Sequence, residues 1–212
     1  MPEQPIVYLV DDDENFRRAV VWLLNSVGHK VRVFDSAEGF LEIFDPSFYG
    51  CLITDMRMQQ KSGLDILAAI GTDCERFPVI VMTAFGTVRS GVRAMKMGAF
   101  DFIEKPFDDQ HLLDLVNRAL ETAQKGRDSN LRRLSLLKGI DSLSGREKEV
   151  LSAIMAGQTN EEIANRLNIG AKTVETYRSR ILMKVGYQRT SDLRAHMERH
   201  RIFPAMNDTG AV

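Results

Sequence analysis

The chain is poor in cysteine and proline and has no long apolar run, and these shortages exclude several classes of protein. Only two cysteines and six prolines occur among its 212 residues. Cys51 and Cys74 have no metal-ligand spacing, so both are expected to be reduced and packed. No apolar run approaches the roughly 20 residues of a membrane-spanning helix, and no basic segment with a cleavage site begins the chain. A cytoplasmic protein is expected.

The net charge of −1 hides two halves of opposite charge. Residues 1–126 carry 13 Lys and Arg against 19 Asp and Glu, a net charge of −6. Residues 127–212 carry 15 against 10, a net charge of +5. An acidic half joined to a basic half indicates different partners, and the basic half is the candidate for binding a polyanion. Chance variation of surface charge is the alternative at this point.

The first 125 residues alternate short apolar runs with stretches of helical spacing, and the last of these stretches covers residues 109–123. Five such alternations predict a parallel sheet with right-handed crossovers, the flavodoxin-like (βα)5 fold with strand order 2-1-3-4-5. The five apolar runs cover residues 6–10, 31–34, 51–54, 79–82 and 99–103.

Polar residues follow four of these strands, at the sheet edge where ligands of open α/β proteins bind. They are Asp11, Asp12, Asp55, Thr83 and Lys105. Three carboxylates at close range repel one another, and a hard cation such as Mg²⁺ (or Mn²⁺) would relieve this. Asp55 would then be a nucleophile that forms an aspartyl-phosphate. Lys105 would pair with one phosphoryl oxygen, and the Thr83 hydroxyl would donate to another.

The first acidic cluster has a simpler interpretation, because negative charge is also favoured at a helix N-terminus. Asp13 and Glu14 are expected to serve there. A single Asp after a strand would indicate little, whereas polar residues at successive strand ends indicate phosphoryl chemistry.

A second domain is predicted over residues 141–205, all helical, after a linker over 124–140 and before a flexible tail over 206–212. Gly126 and its polar neighbours would break the preceding helix, although the linker has the apolar spacing of a short helix. Ser144 and Glu147 form a capping box, and Ser191 is expected to cap the last helix. The helices are expected over residues 146–156, from 159 or 160 to 167, over 172–185 and after 191.

The middle two of these helices fit a helix-turn-helix, in which the second presents its outer face to the DNA major groove. Val174, Tyr177, Ile181 and Val185 should pack inward. An ordinary solvated helix is the alternative. The expected DNA-binding residues are Thr159, Asn160, Lys172, Thr173, Glu175, Thr176, Arg178, Ser179, Arg180 and Lys184.

Residues 5–123 resemble the receiver domain of bacterial response regulators, in the stretches VDDD (10–13), ITDMRM (53–58), VMTA (81–84) and DFIEKPF (101–107). The resemblance implies that Asp55 is the phosphoacceptor and that Asp11 and Asp12 are the acidic pair. Asp12, Asp55 and the main-chain carbonyl of Arg57 would hold Mg²⁺.

The same resemblance implies a cis peptide bond at Lys105-Pro106 and a switch formed by Thr83 and Phe102. The Phe102 ring would turn inward when Thr83 moves toward the phosphoryl group; plain core packing is the alternative. Gln59 departs from the proline that is common in such receivers, and its loop is expected to be freer.

Residues 141–201 resemble the LuxR-type helix-turn-helix domain of the FixJ/NarL group. The sequence motifs of the receiver domain are most similar to those of the FixJ branch. Glu175 stands where lysine is frequent; it would set base preference or orient Arg178. The stretches that carry the resemblance are LSGREKEVL (143–151), GQTNEEIA (157–164) and KTVETYR (172–178).

The two resemblances together imply a non-enzymatic transcriptional regulator, an activator more than a repressor. Its partners would be a sensor histidine kinase, double-stranded promoter DNA, RNA polymerase and, on phosphorylation, a second copy of the chain. The dimer face would include Val92, Met95 and Lys96, with Phe100 nearby. The unphosphorylated receiver is also expected to mask the DNA-binding domain. The alternative function is a phosphorelay or protein-binding receiver without DNA output.

Overall fold

The computed structural model describes residues 4–71, 74, 76–84 and 88–202. The chain divides into two units, residues 1–128 and 129–212. The tail predicted over 206–212 and the last residues of the domain predicted over 141–205 lie outside the described residues.

One parallel sheet of five strands forms the centre of the first unit, and its order β2-β1-β3-β4-β5 confirms the predicted fold. Every residue of β3 and β4 is buried. Strands covered on both faces favour the continuous apolar runs seen in the sequence. The strands are β1 (Ile6–Val10), β2 (Lys30–Phe34), β3 (Gly50–Asp55), β4 (Val79–Thr83) and β5 (Asp101–Glu104).

Side chains alternate between two apolar cores, one on each face of this sheet. Leu9 and Ile53 belong to one core, whereas Leu52 and Val81 belong to the other. Cys51 is fully buried and unpaired in the first core, and burial raises the pKa of its thiol to about 12.

The helices of the first unit begin where the sequence supplies caps. The Asp13 carboxylate accepts the amide hydrogens of Asn15 and Phe16, which confirms its expected capping role. Ser62 and Asp65 form a capping box at the third helix. The helices are α1 (Glu14–Ser26), α2 (Ala37–Leu41), α3 (Gly63–Ile70), α4 (Val88–Lys96) and α5 (Asp109–Asp141).

Helix α5 does not break at residue 123 but continues through the whole region expected to be a linker. A glycine inside a helix destabilises it by about 1 kcal/mol relative to alanine. Contacts around Gly126 offset this loss. A Cβ there would lie 3.2 Å from the Arg76 Cα, so the missing side chain allows close packing. The Gln124 amide also donates to Asp128 across one turn, at 2.8 Å.

Four helices follow α5 in the part of the second unit that is described, up to residue 202, and Ser144 and Thr159 cap the first two through complete capping boxes. Gly157 follows the first of the four helices and Gly186 follows the third. Their φ angles of +85° and +77° are left-handed conformations, which suit the end of a helix. The helices are α6 (Gly145–Met155), α7 (Asn160–Leu167), α8 (Ala171–Val185) and α9 (Thr190–Arg199).

The expectation that Ser191 caps the last helix is wrong. Helix α9 begins at Thr190, and Arg189 at its N-cap makes no side-chain capping bond. The Ser191 hydroxyl donates instead to Asp192. Burial of Leu193 and Met197 holds α9 in place, since most helical stability in proteins comes from tertiary packing.

The core of the second unit includes the end of α5. Leu136 is fully buried in it, and Leu137 and Ile140 pack against it. The last turns of α5 therefore belong to the fold of this unit, N-terminal to the boundary expected at residue 141.

The side chain of His196, on α9 in the second unit, lies close to aromatic rings and to positively charged groups. Its Nε2 atom is buried without a hydrogen-bond partner, and its ring centroid lies 4.4 Å from that of His200 and 5.8 Å from that of Tyr187. Burial lowers the pKa of His196, and the charges of His200, Arg199 and Arg132 lower it further.

A histidine whose pKa is lowered by folding takes up a proton more readily in the unfolded chain. The free energy of unfolding should therefore fall as pH drops below about 6.5. His196→Phe keeps a ring and removes the titration, so it should flatten this dependence in urea unfolding followed by circular dichroism. His111→Phe, at an exposed site, is the control. Equal pH dependence in wild type and His196→Phe would contradict the assignment.

Candidate functional site

The carboxyl ends of three strands bring Asp11, Asp55 and Lys105 together. The Lys105 Nζ atom donates to Asp11 Oδ2 at 2.6 Å and to Asp55 Oδ1 at 2.7 Å. Only 16% of the Lys105 side chain is exposed, against 1% for Asp11 and 11% for Asp55. Residues far apart in the sequence thus form one nearly buried ionic group, as expected from strand order.

Main-chain groups fix the orientation of both carboxylates. The Arg57 amide donates to Asp55 Oδ2 at 2.6 Å, and the Asp13 amide donates to Asp11 Oδ1 at 2.8 Å. The guanidinium of Arg17 donates to the Asp11 carbonyl. Asp55 is therefore aimed by one ammonium and one amide, a preorganised arrangement for a nucleophile.

Burial and pairing act in opposite directions on the charges of this group. Burial raises the pKa of Asp11, and hydrogen bonds from Lys105 and the Asp13 amide offset this only in part. Burial opposes the charge of Lys105, but its hydrogen bonds to Asp11 and Asp55 outweigh burial and raise its pKa. The ammonium also lies 3.8 Å from the centroid of the Phe16 ring, which favours its positive charge.

Asp12 adds a third carboxylate beside Asp11, and its side chain is exposed. Across the described ranges, no three His, Cys, Asp or Glu side chains are grouped closely enough to hold a metal ion. Mg²⁺ needs fewer, since it takes one or two carboxylates and keeps several waters. An all-oxygen donor set from Asp12, Asp55 and the Arg57 carbonyl suits such an ion chemically.

Thr83 and Phe102 lie on the neighbouring strands β4 and β5. Thr83 is 1% exposed at the end of β4, and its carbonyl accepts the Lys105 amide at 2.7 Å. The Phe102 ring is partly buried beside Gly91, where an added Cβ would come within 3.3 Å of it. The Lys105-Pro106 peptide bond is cis.

The loop after Asp55 is closed without the proline whose place Gln59 takes. The Gly63 amide donates to the Met56 carbonyl, and the Ser62 capping box follows at once. A Cβ on Gly63 would lie 2.4 Å from the Asp55 carbonyl oxygen. Gly63 therefore allows the main chain to pack closely behind Asp55, a role that no local sequence signal indicated.

An apolar cavity of about 330 Å³ adjoins Lys105. Trp22 on its wall is 74% exposed. The lining residues are Phe16, Ala19, Val20, Trp22, Leu23, Lys105, Pro106, Phe107 and Asp109.

In the second unit, α8 has the inward and outward faces expected of the second helix of a helix-turn-helix. Val174, Ile181 and Val185 are buried, and Tyr177 is partly buried. The exposed positions of α8 that were expected to contact DNA are Lys172, Thr173, Glu175, Thr176, Ser179, Arg180 and Lys184.

Some of the residues expected to bind DNA have partners within the unit. The Arg178 guanidinium donates to Asn160 Oδ1, so Asn160 orients it. The Thr159 hydroxyl caps α7. The Lys184 ammonium donates to Glu147 Oε2 at 2.7 Å. The hydroxyls of Thr176 and Ser179 donate to carbonyls of their own helix.

No helix in the described part of the chain is both long and apolar enough to cross a membrane.

Comparison with known families gives two matches that together span most of the chain. The response regulator receiver domain matches residues 7–117, and the luxR family of bacterial regulatory proteins matches residues 141–197. The transcriptional regulatory protein TdiR of Thauera aromatica is 41% identical over 187 residues, covering 88% of this chain and 82% of TdiR. FixJ of Azorhizobium caulinodans is 40% identical over 186 residues, covering 87% and 88%.

Two solved structures superpose on nearly the whole chain. The response regulator StyR superposes with a TM-score of 0.76 at 36% identity, covering 93% of this chain and 100% of that one. Full-length FixJ from B. japonicum superposes with a TM-score of 0.55 at 33% identity, covering 94% and 98%.

Replacing Lys105 with methionine should destabilise the first unit, because it leaves Asp11 and Asp55 facing each other without a cation. Breaking a buried ion pair costs about 3–5 kcal/mol, and we expect roughly 3 kcal/mol from urea unfolding. The loss of unfolding free energy should be smaller when Asp11→Asn is added, because Asp55 then has no neighbouring Asp11 charge to repel it. Lys61→Met, at an exposed site, is the control. A Lys105→Met variant as stable as this control would contradict the interpretation.

Proposed function

The chain belongs to the two-component response regulators that join a receiver domain to a LuxR-type DNA-binding domain, and from that premise we propose that phosphorylation of Asp55 controls its binding to promoter DNA. The observation that carries this is the position of Asp55 at the carboxyl end of β3, paired with Lys105. The alternative of a receiver without DNA output is not favoured, because the luxR match covers residues 141–197.

Asp55 acts as the nucleophile toward the phosphohistidine of a sensor histidine kinase. An oxygen of Asp55 bonds to phosphorus, the phosphorus–nitrogen bond breaks, and the imidazole leaves. Lys105 then exchanges its contact with Asp55 for a phosphoryl oxygen, and the Thr83 hydroxyl donates to another. Asp12, Asp55 and the Arg57 carbonyl, with Asp11 nearby, would hold Mg²⁺, which would supply positive charge to offset the charge of the phosphoryl group.

The switch passes from Thr83 to Phe102. When the Thr83 side chain turns toward the phosphoryl group, the Phe102 ring moves inward into the space that Thr83 leaves. Support comes from the adjacent strands of the two residues and from Gly91, whose missing side chain lets the ring pack closely against α4.

Phosphorylation promotes dimerisation through the face made by α4, β5 and α5. Val92 and Met95 on α4 are each 47% exposed, although both are apolar, and Lys96 is exposed beside them. A receiver structure 26% identical to this chain is described as a beryllofluoride-activated dimer. Two DNA-binding units then engage a roughly palindromic site, and the second contact benefits from a high effective concentration.

DNA binds to the outward face of α8. Lys172, Thr173, Glu175, Thr176 and Ser179 face the bases or sugars. Thr159, Asn160, Arg178 and Arg180 are placed toward phosphates. Lys184 can contact a phosphate only after its ammonium breaks its hydrogen bond to Glu147.

The wider role is part of the same proposal and rests on the family to which the chain belongs. The protein acts in the cytoplasm as an activator that contacts RNA polymerase, and it catalyses nothing beyond its own phosphorylation and slow dephosphorylation. The −6 and +5 charges of its two halves are compatible with masking of the DNA-binding domain by the unphosphorylated receiver.

Binding to promoter fragments selected from a random pool should tighten when a small-molecule phosphoryl donor and Mg²⁺ are added. Asp55→Asn should abolish this increase, because an amide cannot form the acyl phosphate. Asp35→Asn removes an exposed carboxylate after β2 and should respond as the wild type does. Gel mobility shifts would measure the affinities. Equal binding in all samples would refute control through Asp55 while leaving DNA binding intact.

Two substitutions on α8 should separate phosphate contacts from base contacts. Arg180→Ala should weaken binding to all sequences alike and reduce the slope of log K against log salt by about 1. Thr176→Ala should change the preferred base and leave the slope unchanged. Arg146→Ala, on α6, is the control. An unchanged salt slope for Arg180→Ala would remove Arg180 from the interface.

A further inference from the structure

The C-terminal end of α8 is held by two contacts from outside the helix-turn-helix. The Lys184 ammonium donates to Glu147 near the start of α6. The main chain of Gly139, in the last turns of α5, lies against Lys184 and Val185. The first contact is ionic and the second is a close backbone approach, so they constrain α8 independently.

Glu147 is fixed before it meets Lys184. Its Oε2 atom accepts the Ser144 amide at 2.7 Å and the Lys184 ammonium at the same distance. Only 5% of the Glu147 side chain is exposed. The bond from Lys184 and that from the Ser144 amide lower the pKa of Glu147, so the carboxylate is charged at neutral pH. The last turn of α8 is thus tied to the capping box of α6.

Gly139 sets the distance between α5 and α8. A Cβ at this position would lie 2.8 Å from the Lys184 carbonyl oxygen and 2.9 Å from the Val185 Cα, closer than side-chain atoms are found. Both neighbouring atoms belong to the main chain and cannot turn away as a side chain can. Leu136 and Ile140 lie one turn apart on the same part of α5 and pack into the same core.

We propose that Gly139 and Glu147 are positioning residues for α8, the helix that reads DNA. They fix its C-terminal end, and thereby the angle at which its outward face meets the major groove. This inference deepens the proposed DNA-binding function and rests on it. It also makes the last turns of α5 part of the DNA-reading unit.

The test uses the full-length chain and compares two DNA fragments of equal length, one selected by the wild type and one of random sequence. Gly139→Ala should weaken binding to the selected fragment by about tenfold or more and change binding to the random fragment by less than about twofold. A tilted helix loses base contacts, whereas its positive charge still attracts phosphates. Gly145→Ala is the matched control, since a Cβ there meets open space.

Glu147→Gln provides a second, independent test. Glutamine can still serve in a capping box, but it removes the charge that holds Lys184. The ratio of selected to random binding should fall again, and the freed Lys184 should leave random binding undiminished. Circular dichroism of each variant checks that the helices are intact.

The outcomes separate this inference from the proposed function. If the wild type binds no selected fragment, the proposed function itself fails. If the wild type binds but both variants keep its binding ratio, the positioning role is refuted. A parallel loss of selected and random binding would also refute it, because a general loss of folding has that effect. If Gly139→Ala unfolds the second unit, the ratio of selected to random binding measured for Glu147→Gln alone tests the positioning role.

Discussion

The ammonium of Lys105, held between Asp11 and Asp55, is the interaction on which the first unit depends. The sheet places two carboxylates at the ends of adjacent strands, where their like charges repel. Lys105 follows the fifth strand, and its single positive charge pairs with both carboxylates and reduces their repulsion. The ring of Phe16 supports the ammonium, and backbone amides hold the remaining carboxylate oxygens. The proposed function places the phosphoryl group at this same group of charges.

Much of this site could be predicted from the sequence, because strand ends and polar residues are local features and strand order brings them together. The first strand and the third are neighbours, so Asp11 and Asp55 had to meet. The contacts of glycine could not be predicted. Gly63 behind Asp55 and Gly139 against Val185 depend on close approach of distant main chain, for which a single sequence has no pattern. Lys184 was predicted to bind DNA because its partner, Glu147, lies 37 residues away in the sequence, where no local pattern reveals the pairing.

The region expected to be a linker shows how tertiary contacts override local propensity. Gly126 and its polar neighbours favour a break, yet α5 continues because its residues have packing partners in their own units. In the first unit, the Arg127 guanidinium lies 4.3 Å from the centroid of the Tyr49 ring. In the second, Leu136 is fully buried. The glycine and polar residues of the segment favour a break, whereas its apolar spacing and its contacts are those of a helix.

The exposed indole of Trp22 gives the molecule a built-in optical reporter. It is the only tryptophan of the chain, it lies on α1, and it lines the cavity beside Lys105 and Phe107. Its emission therefore originates wholly in the first unit and is sensitive to solvent and contacts at that wall. Changes at this wall of the cavity can be followed in the intact protein without a dye, while the DNA-binding unit contributes no tryptophan signal.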